Sequence, residues 1–187
     1  MSVTILRAAD HRRMPWKNGK GETIEIAIHP ETSGIDSFDW RISTASVTED
    51  GPFSGFAGID RNLSVLTGDG ILLTVGGDET RLTQGSAPSG FAGDQPTFAR
   101  LIGSAITDLN IMTRRGRYDA QVTRIDLDGA RLIEPQGTAF LFMAEGAASI
   151  GDSPVAPLDC AKLHGPAGVT GRARLFLIEF TPAAPQS

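Results

Sequence analysis

Arg61, in the run GIDRNLSVLTG (Gly58 to Gly68), carries a planar fork of N–H donors suited to bidentate pairing with a carboxylate or phosphate. Its plain structural alternative is an ion pair with the neighbouring Asp60. In WRISTASV (Trp40 to Val47), Arg41 and Ser43 fall on one side of a strand and Trp40 and Ile42 on the other. If the apolar side packs in a core, Arg41 reaches the surface; if a pocket interrupts the core, Arg41 lines it. DLNIMTRRGRYD (Asp108 to Asp119) puts Asp108, Asn110 and Met112 on one strand face, ahead of a basic cluster, Arg114, Arg115 and Arg117, that reads as a charged turn facing water. MPWKNGKGETIEI (Met14 to Ile26) gathers Trp16, Lys17, Asn18, two glycines and Thr23: an aromatic face, a cation, an amide and flexible backbone donors. It is no Walker-type phosphate loop, because the spacing differs and a strand follows instead of a helix.

Other chemistries find less support. His11, His29 and His164 lie in separate regions with no ligand spacing, so neither a metal centre nor a Ser-His-acid triad is encoded locally. Glu25, Asp60, Asp94 and Asp108 are the acids near the basic residues, with Asp94 reading as a turn former. No two of them are shown by spacing to converge as acid and base. The single cysteine, Cys160, excludes an internal disulfide and a cysteine-rich zinc site, and reads as a small buried apolar residue.

The elements that must position these groups are short strands. TIEIAIHP (Thr23 to Pro30) alternates Ile24, Ile26 and Ile28 against Thr23, Glu25 and Ala27, the period of a half-buried strand. LSVLTG, ILLTVGG, TRLTQG, AQVTRIDL, TAFLFMAEG and RLFLIEFTP repeat the pattern between Gly, Pro, Asp and Ser clusters. Only Thr97 to Ile106 reads as a short helix or turn. Many short strands at near-even spacing imply a sandwich or barrel. A faint internal echo pairs Gly68 with Gly146, the Gly77–Asp78 turn with Gly151–Asp152, and Leu82 with Leu158. It predicts two related halves, residues 1–117 with the pocket and residues 118–187 mainly structural.

The 187 residues, 40% hydrophobic, suffice for one generous domain or two small ones, burying roughly 70% of the unfolded surface. A net charge of -5 spread through the chain provides no basic stripe for nucleic acid and no polybasic run for a lipid surface. The charged N-terminal stretch is neither signal peptide nor membrane anchor. The expectation is a soluble cytoplasmic protein.

The strand-and-glycine pattern resembles the cupin family. Its first motif would place two histidines at Gly55 and Ala57 and a glutamate at Arg61, ahead of Gly68; its second, from Gly85 through Phe91-Ala92-Gly93, would place a histidine at Pro96 and an asparagine at Arg100. Every metal ligand is replaced, and a guanidinium where a carboxylate would stand repels a cation and suits an anion. PWKNGKGETIEI, FDWRISTASV, DGPFSGFAGIDRNLSVLTG, GFAGD and DLNIMTRRG, in this order over the first two thirds of the chain, narrow the resemblance to the HutD/Ves family. It implies an all-β double cupin, two antiparallel barrels or jelly rolls in one chain, associated with histidine utilisation. It further implies that Trp16, Lys17, Asn18, Arg41, Arg61 and Asn110 stand at or near a pocket for a small anionic metabolite, with no cofactor. Lys20 departs from the family's glycine run.

Three functions follow. A metal-free sensor would bind formylglutamate, formiminoglutamate or urocanate, with arginine on the carboxylate, Asn18 and Asn110 on the amide or imine end and Trp16 stacking. A metal-independent isomerase, lyase or hydrolase would use Asp60 or Glu25 as base and Arg61 to stabilise an anion. A structural double barrel would fill its pocket with side chains and use strand edges to form a homodimer.

Overall fold

The computed structural model describes residues 3–16 and 21–184. Within them the chain is all-β, with a single short 3-10 turn at Ala8–Asp10. The strands are β1 (Val3–Leu6), β2 (Arg12–Pro15), β3 (Glu22–His29), β4 (Trp40–Val47), β5 (Gly51–Pro52), β6 (Ile59–Thr67), β7 (Ile71–Val75) and β8 (Asp78–Leu82). They continue as β9 (Ser89–Ala92), β10 (Thr97–Leu101), β11 (Ile106–Arg114), β12 (Tyr118–Ile133), β13 (Thr138–Ile150), β14 (Ser153–Val155), β15 (Cys160–Leu163) and β16 (Ala167–Pro182). Among the described residues no helix is long and apolar enough to cross a membrane.

The chain divides into two units. One joins Arg12–Tyr118; the other joins Asp119–Pro182 with the described residues up to His11. Residues 3–11 therefore do not belong with the unit that follows them, because β1 pairs antiparallel with β15, Val3 opposite Leu163. That long-range pairing leaves no trace in the local pattern of VTIL.

The unit of Arg12–Tyr118 holds two antiparallel sheets, ordered β2-β3-β4-β11-β6-β9 and β5-β10-β7-β8. Val47, Leu63 and Val65 of the first pack with Ile71, Leu73, Leu82 and Ala99 of the second. Alternation drives this arrangement, since successive side chains on a strand point to opposite faces. The stretch expected as a short helix or turn begins instead as β10, with a turn only after Leu101 leading into β11. Thr97 and Ala99 are buried while Phe98 and Arg100 are exposed, a period of two that the short, mixed composition had obscured.

A second correction concerns β3. A bulge between Glu25 and Ala27 inserts Ile26 as an extra residue, so Ile24 stands opposite Thr44 but Ile28 opposite Arg41. The three isoleucines therefore do not share one face. The bulge leaves Thr23, Glu25 and Ile28 on the face that carries Arg41, which matters for the pocket.

The unit containing Asp119–Pro182 is a sheet ordered β1-β15-β13-β16-β12, with β14 on β13. Its core joins Leu141, Met143 and Ile150 to Val169, Leu175 and Leu163. The internal echo holds in part. Gly68 and Gly146 both have positive φ, +83° and +92°, and Val75↔Asp78 and Ile150↔Ser153 both close two-residue hairpins. It fails at its last position, where Leu82 is buried but Leu158 is 40% exposed with a φ of 72°.

Candidate ligand pocket

Three central strands build the pocket floor through their register. Met112 on β11 lies opposite Arg41 on β4 and opposite Arg61 on β6; the next rung is Ser43, Asn110 and Leu63, and the next Ala45, Asp108 and Val65. Directly opposed residues share a face. Arg41, Arg61, Asn110 and Asp108 therefore project together into a cavity of about 720 Å³, a volume ordinary for a metabolite site. Trp16, Thr23 and the aromatic rings of Phe53 and Phe56 complete its walls.

Arg61 sits in an aromatic cage. Its guanidinium lies 5.1 Å from the ring centre of Phe53, 5.3 Å from Phe91 and 5.7 Å from Phe56. Ring faces attract a desolvated cation without occupying its N–H donors. The hydrogen bonds it makes are long, Nε to Asn110 Oδ1 at 3.4 Å and Nη1 to the Ser54 carbonyl at 3.3 Å. Burial pulls its pKa down to about 10, the Asp108 charge opposing this and the Arg41 charge adding to it. Gly93 makes room: a Cβ there would lie 3.2 Å from Arg61 Cγ and Cδ and 2.9 Å from the Ile59 carbonyl.

Arg41 is held differently. Its Nε donates to Glu25 Oε2 at 2.7 Å, with only 4% of the arginine side chain exposed. Its Nη2 is buried and has no hydrogen-bond partner among the described residues. Asp108 shares that condition, because its Oδ1 is also buried without a partner. Desolvation pushes the Asp108 carboxyl up to about 7, against the pull of the Arg61 charge and the Ala45 backbone N–H. Trp16 donates from Nε1 to Thr23 Oγ1 at 2.9 Å, which fixes the ring at the cavity wall.

Of the residues the sequence pointed to, Trp16, Arg41, Arg61 and Asn110 line this one cavity. Lys17 and Asn18 lie outside the described residues. Asp60 is elsewhere: its carboxylate accepts from Arg115 at 2.7 Å, and the same guanidinium holds Asp94 at 3.0 Å. Arg61 thus has no ion pair with its sequence neighbour, and Asp60 is not placed to act as a base on a ligand. Arg114 is more than a surface charge, since it donates to the Phe38 carbonyl at 2.9 Å. The histidines serve separate contacts; His29 stacks on Trp40 with ring centres 5.3 Å apart, and His164 meets Thr4 Oγ1.

Residues missed by sequence reasoning are the cage aromatics. Phe53, Phe56 and Phe91 come from DGPFSGF and GFAGD, where glycines and a proline mask any strand period, so only large aromatics inside turn-rich segments signalled them. The metal positions of the cupin pattern do not fit a divalent cation. Arg61 alone of them lines the cavity, and Arg100 pairs with Glu79 at 3.5 Å on the outer side of β10. Among the described residues no three His, Cys, Asp or Glu side chains gather as a ligand set.

A family model described as HutD matches residues 8–176. The chain belongs to the HutD family. This HutD-family chain is 38% identical over 185 residues to an uncharacterized 21.2 kDa protein in the hutC 3' region of Pseudomonas putida, covering 95% of this chain and 96% of that one. It is 37% identical to protein Ves of Citrobacter koseri over 76% of this chain and 75% of the relative. The solved structure of HutD from Pseudomonas fluorescens superposes with a TM-score of 0.85 at 34% identity, over 98% of this chain and 100% of that one. A cupin 2 conserved barrel domain protein from Leptotrichia buccalis, 11% identical, shares the fold with a TM-score of 0.57 over 86% of this chain and 89% of its own. The HutD-family architecture is therefore of the cupin type.

Proposed function

We propose that this HutD-family chain is a receptor for a small carboxylate, a cytoplasmic sensor in histidine catabolism that uses no metal. The observation that carries the reading is the pair of buried arginines on one cavity, with Arg41 Nη2 lacking a hydrogen-bond partner among the described residues. A desolvated guanidinium donor without an acceptor is costly, and a bound carboxylate supplies the acceptor. The aromatic cage holds Arg61 by its faces and leaves donor capacity for the same anion. The cavity also counts against the purely structural reading, since side chains do not fill it. Family membership supports the pathway, and formylglutamate, formiminoglutamate and urocanate are the expected ligands.

A thermal-shift series with those three carboxylates tests this. At 100 times its dissociation constant a ligand adds ~2.7 kcal/mol, several degrees for a chain of this size. Arg61→Ala should abolish the shift, while Arg117→Ala, which removes an exposed partner of Asp39, should leave it. No shift with any of the three would overturn the reading.

A second reading has one observation behind it. Asp108 lines the cavity with its carboxyl pushed up to about 7, which suits a general base, whereas Asp60 is held by Arg115 and Glu25 by Arg41. Turnover of a bound carboxylate, followed by NMR and lost in Asp108→Asn, would favour an enzyme over a sensor.

A further inference from the structure

Two residues that line the cavity each carry a buried atom without a hydrogen-bond partner among the described residues, and the atoms are of opposite kind: Arg41 Nη2 is a charged donor and Asp108 Oδ1 an acceptor. Register sets them apart. Met112, opposite both arginines, is four residues from Asp108, a span of about 14 Å along β11. Arg61 shortens the span by turning Nε toward Asn110, one rung nearer Asp108. Arg41 does likewise, turning Nε toward Glu25, which stands opposite Ser43 on that same nearer rung. Roughly one rung, ~7 Å, then separates the guanidinium tips from the Asp108 carboxyl.

A lone carboxylate that pairs with Arg41 answers only one of the two vacancies. Asp108 would stay buried with an unanswered acceptor, and Arg61, whose charge bears on it from β6, makes no hydrogen bond to Oδ1. We propose that the ligand of this pocket carries an N–H donor at its far end, which Asp108 Oδ1 accepts while the carboxylate end meets Arg41 and Arg61. The inference rests on the carboxylate reading above and deepens it by naming the ligand class: carboxylates bearing an amide, amidine or azole N–H about one rung from the carboxyl group. Asp108 is then the specificity determinant. A site built to bond an N–H rejects an equally shaped molecule with oxygen in that place, because the buried acceptor then faces a second acceptor. The ionised form of Asp108, which Arg61 and the Ala45 backbone N–H offset only in part, gains the stabilisation that burial denies it.

The test uses isosteric pairs and calorimetric titration of the full chain at pH 8. Pyrrole-3-carboxylate against furan-3-carboxylate probes the short span, and 4-acetamidobutanoate against 4-acetoxybutanoate the longer one; each pair differs only in N–H for O. At least one N–H member should bind tenfold or more tightly than its oxygen partner, and Asp108→Ala should close that gap while the variant still binds the oxygen member, which shows that its pocket is folded. Equal affinities within both pairs, or a gap that persists in Asp108→Ala, would overturn the inference and leave the carboxylate receptor standing. Should Asp108→Ala fail to fold, Asp108→Asn takes its place, with the gap expected to narrow. Silence from all four probes would remove the inference and weaken the carboxylate reading with it, whereas pathway carboxylates that still raise the melting temperature would show that only the inference has failed.

Discussion

Asp108 and Arg61 stand on adjacent strands of one sheet face, and the guanidinium draws the carboxyl down without overcoming its burial, which leaves it at about 7. The balance makes Asp108 the group in the cavity whose charge changes near neutral pH. It also ties the stability of the fold to that titration.

The first prediction concerns stability against pH. Between 3.8 and about 7 the unfolded chain releases the Asp108 proton while the folded chain keeps it, so stability falls as pH rises through this window and levels off above it. A carboxyl moved that far corresponds to about 4 kcal/mol, an upper figure because the folded site can relax around the charge. Asp108→Asn lacks the dependence and should overtake the wild type in urea denaturation at pH 8, with a smaller difference at pH 5. Parallel curves for the two proteins from pH 5 to 8 would mean that the carboxyl ionises in its ordinary range.

The second concerns Arg41 and Glu25. Their contact at 2.7 Å is nearly dry, with 4% and 11% of the two side chains exposed, and Arg12 approaches Glu25 only to 3.7 Å. Arg41→Ala strands a buried carboxylate and should cost about 3 kcal/mol. Glu25→Gln on the same background should recover at least ~1 kcal/mol, measured as a double-mutant cycle. Strictly additive losses would show that the pair is not coupled.

A third prediction separates two glycines. Gly68 has a φ of +83° and a Cβ there would lie 2.3 Å from the Ala105 carbonyl; Gly77 has a φ of +102° with open space around it. Gly77→Ala meets only the backbone preference, about 1 kcal/mol. Gly68→Ala adds a steric clash with main chain and should lose at least ~2 kcal/mol. Thermal denaturation of both variants checks the order, and equal losses would place the hairpin after β6 in a looser geometry.

The fourth tests the cage. Gly93→Ala pushes a methyl group against the Arg61 stem from a position that does not itself line the cavity. The variant should fold, with a loss of about 1–2 kcal/mol from the close Ile59 carbonyl, and should show a smaller carboxylate-induced melting shift than wild type. An undiminished shift would mean that the guanidinium position is not set by this contact.

Much of the fold was legible because its information is local. Alternation in WRISTASV and DLNIMTRRG is enough to put Arg41 with Ser43 and Asp108 with Asn110, since period two is a property of any strand. The ordered run of family motifs carried the architecture and four described pocket residues. Where local signals conflicted, the sequence misled: PTFAR, which opens a stretch that reads as a short helix or turn, becomes a strand by pairing with β7, and TIEIAIHP hides a bulge that only the partner strand reveals.

The sequence by itself determined which residues share a face in WRISTASV and DLNIMTRRG and that no histidine or carboxylate stands at the cupin ligand positions, because both are questions of identity and spacing. Tertiary structure decided the rest: that β4, β11 and β6 lie side by side with Arg41 and Arg61 flanking Met112, that Phe53 and Phe56 from the loop after β5 and Phe91 from β9 close around Arg61, and that Asp60 turns to Arg115 while Asp108 lines the cavity. The physical reason is that burial and charge pairing are set by neighbours distant along the chain. Whether a carboxyl titrates at 4 or near 7 depends on which groups the fold brings against it, and no single strand contains that information.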